Sequence, residues 1–416
     1  VAVLVLFLGA LVLTQVYWYN FAPLISLLTA KYGISELAAG WTVLVFPLAS
    51  LVFSGHAGAL IDRRGYRFAL RAGLALMAVS AALRIFDSSF RMLLLGQAGA
   101  AISVPYIVTC ISTLVADRFE PSQEAFYTGI CTMGIFVGMA ASLAGSPLLV
   151  QAVGFRGAMV LLAAVTAAWA LAFAFAAGRG EANRAAESTP GGAGSVSWLG
   201  MFRNRNLAVI FVTAFIGQGC FNALTTWMEP IWHERGFPSD AAGIAGGVVI
   251  VGGIAGSVLI PPLLDRWNQA RLLLWICLAP SILLVTRLLW ADTPRHGYVW
   301  GAALGFLWLP SLAITLTLIE RTVHKEHAGA ASGLFWTIGN AGVLGLTVLF
   351  ELLKQATNWH TSIFVLVLML AAMNAAIAAL RVPSAEAARR DAGFAAGAVT
   401  EAAPTQEGWR QAREGT

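Results

Sequence analysis

Ten residues, Gly58-Ala59-Leu60-Ile61-Asp62-Arg63-Arg64-Gly65-Tyr66-Arg67, sit between two long apolar runs. A worn copy, Pro261-Pro262-Leu263-Leu264-Asp265-Arg266-Trp267-Asn268-Gln269-Ala270, lies 203 residues further along. A soluble fold has little use for a charged hairpin wedged between segments that apolar. A membrane protein made of two parallel repeats does, because each hairpin turns the chain back across the bilayer.

Composition agrees. Of 416 residues, 58% are hydrophobic and 11% charged, against about 25% charged in a soluble domain. A bilayer core of roughly 30 Å takes about 20 apolar residues per helix. Only helices and closed barrels satisfy their backbones there. The runs are too continuous for barrel strands, which alternate every second residue. The net charge of +5 is scattered over short loops and forms no patch, so a nucleic-acid partner is not expected. Cys110, Cys131, Cys220 and Cys277 lie within apolar runs, at spacings that suit neither a metal nor a disulfide framework. The apolar start lacks a basic leader region and is read as the first helix.

Charge, Gly and Pro break the chain into twelve runs, near 2–29, 37–60, 67–86, 91–116, 125–150, 157–177, 206–232, 240–264, 270–290, 297–319, 328–353 and 360–380. The expected fold is therefore all-α, with twelve transmembrane helices arranged as two pseudo-symmetric six-helix bundles. The bundles are residues 1–177 and 206–380. A polar, Gly-rich linker, 178–205, joins them, and 381–416 read as a disordered tail. With both termini in the cytoplasm, the inner side holds 18 of the 26 basic residues, as the positive-inside rule requires. Short loops suit a bacterial inner, or plasma, membrane.

The repeat extends beyond the hairpin. An offset of 203 takes Gln15 to Gln218, Asp62 to Asp265, Arg63 to Arg266 and Arg84 to Arg287. Further on it becomes 204, pairing Gly129 with Gly333 and Gly138 with Gly342. The hairpin and the repeat together resemble the major facilitator superfamily of transporters, whose loop signature is Gly-x-Leu-x-Asp-Arg-x-Gly-x-Arg. That resemblance implies parallel halves and a solute site between them near the midplane.

The interior polar residues are the candidate site. Gln15, Trp18 and Tyr19 share one face of the first helix, and Gln218, Phe221 and Asn222 repeat that face on the seventh. Trp336 and Asn340 align on the eleventh, Gln97 lies in the fourth, and Trp308 in the tenth. Amides at membrane depth face the bundle interior or a wet cavity. For each, the plainer reading is an interhelical hydrogen bond, and for each aromatic it is packing. Tyr17 is expected to face lipid or a neighbouring helix. Arg84 and Arg287 are expected to snorkel to the outer headgroups.

The charged hairpins supply a second set. Asp62, Arg63 and Arg67, with the degenerate Asp265 and Arg266, fit a conformational latch. An acid at a helix–loop boundary can face the positive N-terminus of another helix and let go during rocking. The resemblance implies that the partner is the start of the eleventh helix, near Gly329.

No acid sits at the centre of a span; Glu229 and Glu351 lie near the outer ends of the seventh and eleventh helices. A dedicated proton relay is not evident, and His56 is too close to the cytoplasmic end to serve. The Gly-Pro-x-x-Gly-Gly motif of drug/proton antiporters is missing from the fifth helix. No Walker loop points to ATP.

A finer resemblance rests on Trp18, Trp41, Ala81-Ala82-Leu83-Arg84, Gly96-Gln97, Pro105, Ala331-Ser332-Gly333-Leu334 and Gly339-Asn340. These residues are similar to the feline leukaemia virus subgroup C receptor family, associated with choline, ethanolamine and haem transport. That resemblance implies pocket roles for Trp18 and Gln97. The family's seventh-helix Tyr is replaced by Asn222, and its eleventh-helix Gln by Asn340.

The expected function is alternating-access transport of a small organic solute by a monomer, with no cofactor or bound metal and with a possible coupling ion. A choline-like amine, a small organic anion and a drug-like export substrate all stay open, as does a non-transporting receptor. No catalytic constellation suggests an enzyme.

Overall fold

The computed structural model describes residues 2–120, 123–176, 198–260, 269–322 and 325–380. Helix is the only regular structure among them. Most of the predicted linker and the whole predicted tail lie outside these residues. The linker's last part carries a short helix, Trp198–Arg203.

The helices make twelve spans. The first is Ala2–Tyr19 continued by Ile25–Tyr32, the second Glu36–Arg64, the third Tyr66–Leu83, and the fourth Phe90–Val108 with Cys110–Arg118. Glu124–Ala176 supplies the fifth and sixth. The seventh and eighth are Arg205–Glu234 and Ser239–Leu259. The ninth is Ala270–Leu278 with Ser281–Leu289, and the tenth Pro294–Trp308 with Pro310–Thr322. Lys325–Ala356 and Trp359–Ala378 complete the set. An even number of spans returns residue 380 to the face where residue 2 began, the terminal face. The loops near 33–35, 84–89, 154, 235–238, 290–293 and 357–358 make the opposite, distal face.

Apolar runs that read as continuous are interrupted where proline demands it. Pro23 has no N–H to give the Tyr19 carbonyl, and its ring crowds that turn. The first span accordingly stops at Tyr19, makes a 3-10 turn over Ala22–Leu24 and restarts at Ile25. Pro280 and Pro310 mark the breaks in the ninth and tenth spans. Gly154 separates the fifth span from the sixth with φ +75°. Its surroundings are open, so backbone conformation rather than space calls for glycine there.

Small residues let the spans touch. Side chains built at Gly252, Gly256 and Gly305 would strike the Ala302, Phe306 and Val249 carbonyls, so the eighth and tenth spans pack backbone to backbone. The repeat also works in three dimensions. A Cβ at Gly138 would sit 2.5 Å from the Val12 carbonyl, which holds the fifth span on the first. Its counterpart Gly342 closes the same contact between the eleventh and seventh spans, against Phe215.

One expectation needs correction. Arg84 does not snorkel. It is buried inside the first bundle, its guanidinium 4.7 Å from the ring centroids of both Tyr17 and Phe21. Its repeat partner Arg287 is exposed. Of the two surroundings expected for Tyr17 it takes the neighbouring helix, its hydroxyl 2.8 Å from Thr166 Oγ1 on the sixth span.

The seam between the bundles is closed distally and open towards the terminal face. On the eleventh span, Asn340 and Thr347 lie two turns apart on one side. That side is fully buried at Thr347, half-buried at Asn340 and exposed at Trp336 and Thr337. The distal part exposes another side instead, Gly345, Leu349 and Leu352. The second span behaves alike: the side buried at Leu44 and Pro47 is half-buried at Leu51 and exposed at Ser54 and Gly55.

Candidate substrate site between the halves

The first and seventh spans cross on the seam, and there the repeat becomes chemistry. Asn222 Nδ2 donates to the Tyr19 hydroxyl at 3.0 Å, and the two residues are 203 apart. Two turns on, Ser26 meets Glu229, again 203 apart: the Ser26 backbone N–H and hydroxyl each donate to Glu229 Oε2 at 3.0 Å. A residue on a two-fold axis faces its own counterpart, so these pairs mark the pseudo-symmetry axis. Each pair differs in chemistry, and that difference lets one member donate while the other accepts.

Flanking contacts obey the same rule. A Cβ at Gly40 would meet the Trp227 ring at 2.6 Å, while one at Gly243, the repeat equivalent of Gly40, would meet Pro23 at 3.3 Å and the Leu143 carbonyl at 2.5 Å. Each bundle's second helix thus presses a glycine on the other bundle's first. At the distal rim Lys354 Nζ reaches Glu36 Oε1 at 3.0 Å, joining the eleventh span to the second. Polar pairs and close-packed glycines together shut the distal face.

One turn towards the terminal face from the Tyr19–Asn222 bond lie most of the predicted site residues. The Trp18 ring stacks on Tyr19 at 5.6 Å and on Phe46 at 5.4 Å, and its indole N–H has no partner. Phe221 meets Trp308 edge to face at 5.8 Å. Gln15 is buried and donates to Thr14 Oγ1 at 3.3 Å. Gln218 is half-buried over Gly339, with its Nε2 unpartnered. Asn222 Oδ1 accepts from Thr347 at 3.3 Å, tying the pair to the eleventh span. Asn340 donates to the Trp336 carbonyl at 2.9 Å, and Trp336 is 44% exposed towards the open end.

Gln97 stands apart. Its Nε2 donates at 2.8 Å to both the Tyr17 and the Thr42 carbonyls, clamping the end of the first helical segment to the second span. Ser142 does the same for the Val16 carbonyl at 2.9 Å. These side chains cap carbonyls at the helix end that Pro23 helps create. Beside the break, Asn20 is 1% exposed with both amide atoms unpartnered.

Of the latch residues, the side chain of Asp62 and all of Asp265 and Arg266 lie outside the described residues. Arg63 is exposed. Arg67 Nη2 is 3.7 Å from Asp117 Oδ2 at the end of the fourth span, which also accepts from Tyr66 at 2.7 Å and lies 3.6 Å from Arg118 Nε. Asp117, Ser26 and Ser239 were not legible as partners. The missing signal for Ser26 was the offset itself, applied to unlike polar residues as well as identical ones.

The described residues contain no cluster of His, Cys, Asp and Glu that could hold a metal ion. Eleven described segments are long and apolar enough to cross a membrane, and one of them, Tyr127–Phe175, is double.

Comparison with known proteins agrees with this architecture. A 170-residue stretch is 32% identical to an uncharacterized protein of Archaeoglobus fulgidus, covering 40% of this chain and 75% of that one. Zebrafish (Danio rerio) solute carrier family 49 member A3 is 24% identical, covering 83% of this chain and 77% of the relative. The human choline/ethanolamine transporter FLVCR2 is 21% identical, covering 76% and 65%. Among solved structures, a bacterial homologue of the lysosomal transporter Spinster, inward-facing and occupied, superimposes with a TM-score of 0.71 at 14% identity, covering 92% of this chain and 97% of that one. The nucleoside transporter NupG gives 0.71 at 13%, covering 92% and 100%. The sequence profile of the Major Facilitator Superfamily matches residues 6–347. The chain belongs to that superfamily and is a multi-pass membrane transporter of a small solute.

Proposed function

We propose that the transported solute is a small organic amine of the choline or ethanolamine type, bound beneath the Tyr19–Asn222 bond and moved by alternating access. The observation that carries this reading is the ring stack of Trp18 with Tyr19 and Phe46, backed by amides and by Phe221 with Trp308. Aromatic faces attract a quaternary or protonated amine by about 0.5–2 kcal/mol per contact. Gln15, Gln218 and Asn340 offer carbonyls and N–H groups to a hydroxyl. None of the candidate substrate residues is basic, which disfavours an anion. Relatives named as choline/ethanolamine transporters support the same class.

With the terminal face in the cytoplasm of a bacterial inner membrane, as the basic-residue bias indicates, this conformer faces inward. In the reciprocal state the distal pairs separate and Gln15 and Gln218, themselves equivalent, approach on the axis. Asp62 then latches onto the start of the eleventh span.

Uptake of radiolabelled choline and ethanolamine into proteoliposomes tests the reading. The expected result is saturable uptake, weakened in Trp18→Ala by a few-fold to about thirtyfold and by less in Trp18→Phe, which retains a ring quadrupole. Equal uptake by both variants, or competition by small anions but not by amines, would overturn it.

A further inference from the structure

Among the described residues Glu229 is a buried acid that forms no ion pair, on the line along which the halves meet. It is 1% exposed. Its Oε2 accepts two bonds from Ser26 of the opposite bundle, and Oε1 lies 2.7 Å from Ser239 Oγ on the eighth span. The Ser26 N–H can only donate, so Oε2 is an acceptor in either charge state. The Ser239 hydroxyl can donate or accept, so a proton on Oε1 fits the same geometry.

The neighbouring charges are engaged elsewhere. On the first span Lys31 pairs with Asp87. On the second and eleventh, Glu36 pairs with Lys354, which is also 3.8 Å from Glu234. Glu351 accepts from Gln355 at 3.0 Å through Oε1, while its Oε2 has no partner. Asp240 on the eighth accepts from the Ala241 N–H at 2.9 Å. The fifth span presents Leu143, Ala144 and Pro147, which carry no charge. His233, one turn along the same span, is also titratable and is exposed.

We infer that Glu229 binds a proton from the distal side as the distal gate closes. Closure takes the carboxyl out of water and gives it neutral donors in place of a cation. A charge buried in that way is costly, so the gate shuts on the neutral acid. Opening removes Ser26, readmits water and lets the carboxyl release its proton to that water. The proton enters and leaves on one side. It sets the gate and is not itself carried across. This rests on the alternation proposed above but not on the identity of the solute.

The test needs no substrate. Nitroxides at Ser88 and Asp292, exposed on the distal face of opposite bundles, report the gate by double electron–electron resonance in nanodiscs. Acid buffer should shift wild-type protein to the short distances and alkaline buffer to the long ones. Glu229→Gln, a mimic of the protonated acid, should stay short in both, while His233→Gln should keep the response. A wild-type gate that ignores pH, a response that survives Glu229→Gln, or one abolished by His233→Gln would overturn the inference. Infrared difference spectra of wild-type protein give an independent check: acidification should add a protonated-carboxyl band as the gate closes, and its absence would count against the proposal. Failure of amine uptake with an intact pH response would sink only the substrate assignment.

Discussion

The two ends of the same seam differ in how they are held. Distally, unlike polar residues meet across the pseudo-symmetry axis, Tyr19 with Asn222 and Ser26 with Glu229, and glycines bring the backbones into contact. Towards the terminal face the equivalent residues, Gln15 and Gln218, are not bonded to each other: Gln15 bonds to its neighbour Thr14 and Gln218 leaves its N–H₂ unpartnered. Identical amides on a two-fold axis can bond to each other only by adjusting to one reciprocal geometry, in which each donates to and accepts from the other. Unlike residues need no such adjustment. The repeat has therefore been broken chemically where the seam is closed and kept where it is open. An acid and a serine have even changed places: positions 26 and 36 are Ser and Glu in one half, while their equivalents 229 and 239 are Glu and Ser in the other.

The largest effect should come from removing the close approach. Gly243→Val would place a side chain 2.5 Å from the Leu143 carbonyl. Overpacking of that kind costs about 1–3 kcal/mol, and here the cost falls on the distal-closed state alone. Distal distances should lengthen and substituted cysteines near Ser26 should become accessible from the distal side. Unchanged labelling would mean that the fifth–eighth contact does not limit closure.

Asn222→Leu should come next. It leaves the buried Tyr19 hydroxyl and the Thr347 hydroxyl without Asn222. Interhelical hydrogen bonds in membranes are worth about 0.6 kcal/mol on average and rarely above about 1.7, so a gate population shift of several-fold is expected. A double-mutant cycle with Tyr19→Phe measures the pair directly, and a coupling energy near zero would remove this bond from the gate. Trp18→Ala should weaken amine uptake by a few-fold to about thirtyfold, the range of one cation–π contact, with Trp18→Phe in between. Smallest of all, Lys354→Gln should change gate populations by less than about 1 kcal/mol, because the pair with Glu36 is partly solvated. It should matter less as salt rises.

Much of this fold was legible in the sequence. Lipid as solvent, twelve spans and two parallel bundles follow from run length and the repeated hairpin, since backbone satisfaction in a bilayer leaves few alternatives. Gly138 and Gly342 were paired by offset, and they make the same contact in each half. The helix breaks at Pro23, Pro280 and Pro310 were harder to see, because hydropathy does not change where the backbone bends. Gln97 and Gln218 illustrate the limit at the site. Both are amides in apolar helices, yet Gln97 clamps backbone carbonyls and Gln218 faces the opening. That depends on which carbonyls of other helices the packed bundle brings within reach, which no local pattern records. Arg84 misled for a related reason. Its position near a helix end suggested headgroups, but Tyr17 and Phe21 offer a drier seat inside.

The central claim is that the axial pairs hold the distal face shut at the expense of the terminal one. The most direct test is a paired distance measurement on the Ser26→Ala/Asn222→Leu double variant in nanodiscs. One nitroxide pair spans the distal face at Ser88 and Asp292, and the other the terminal face at Arg64 and Arg271. The account predicts opposite movements, with distal distances lengthening and terminal distances shortening in the same molecules. Distal distances that stay short, or that lengthen while the terminal ones stay put, would contradict it.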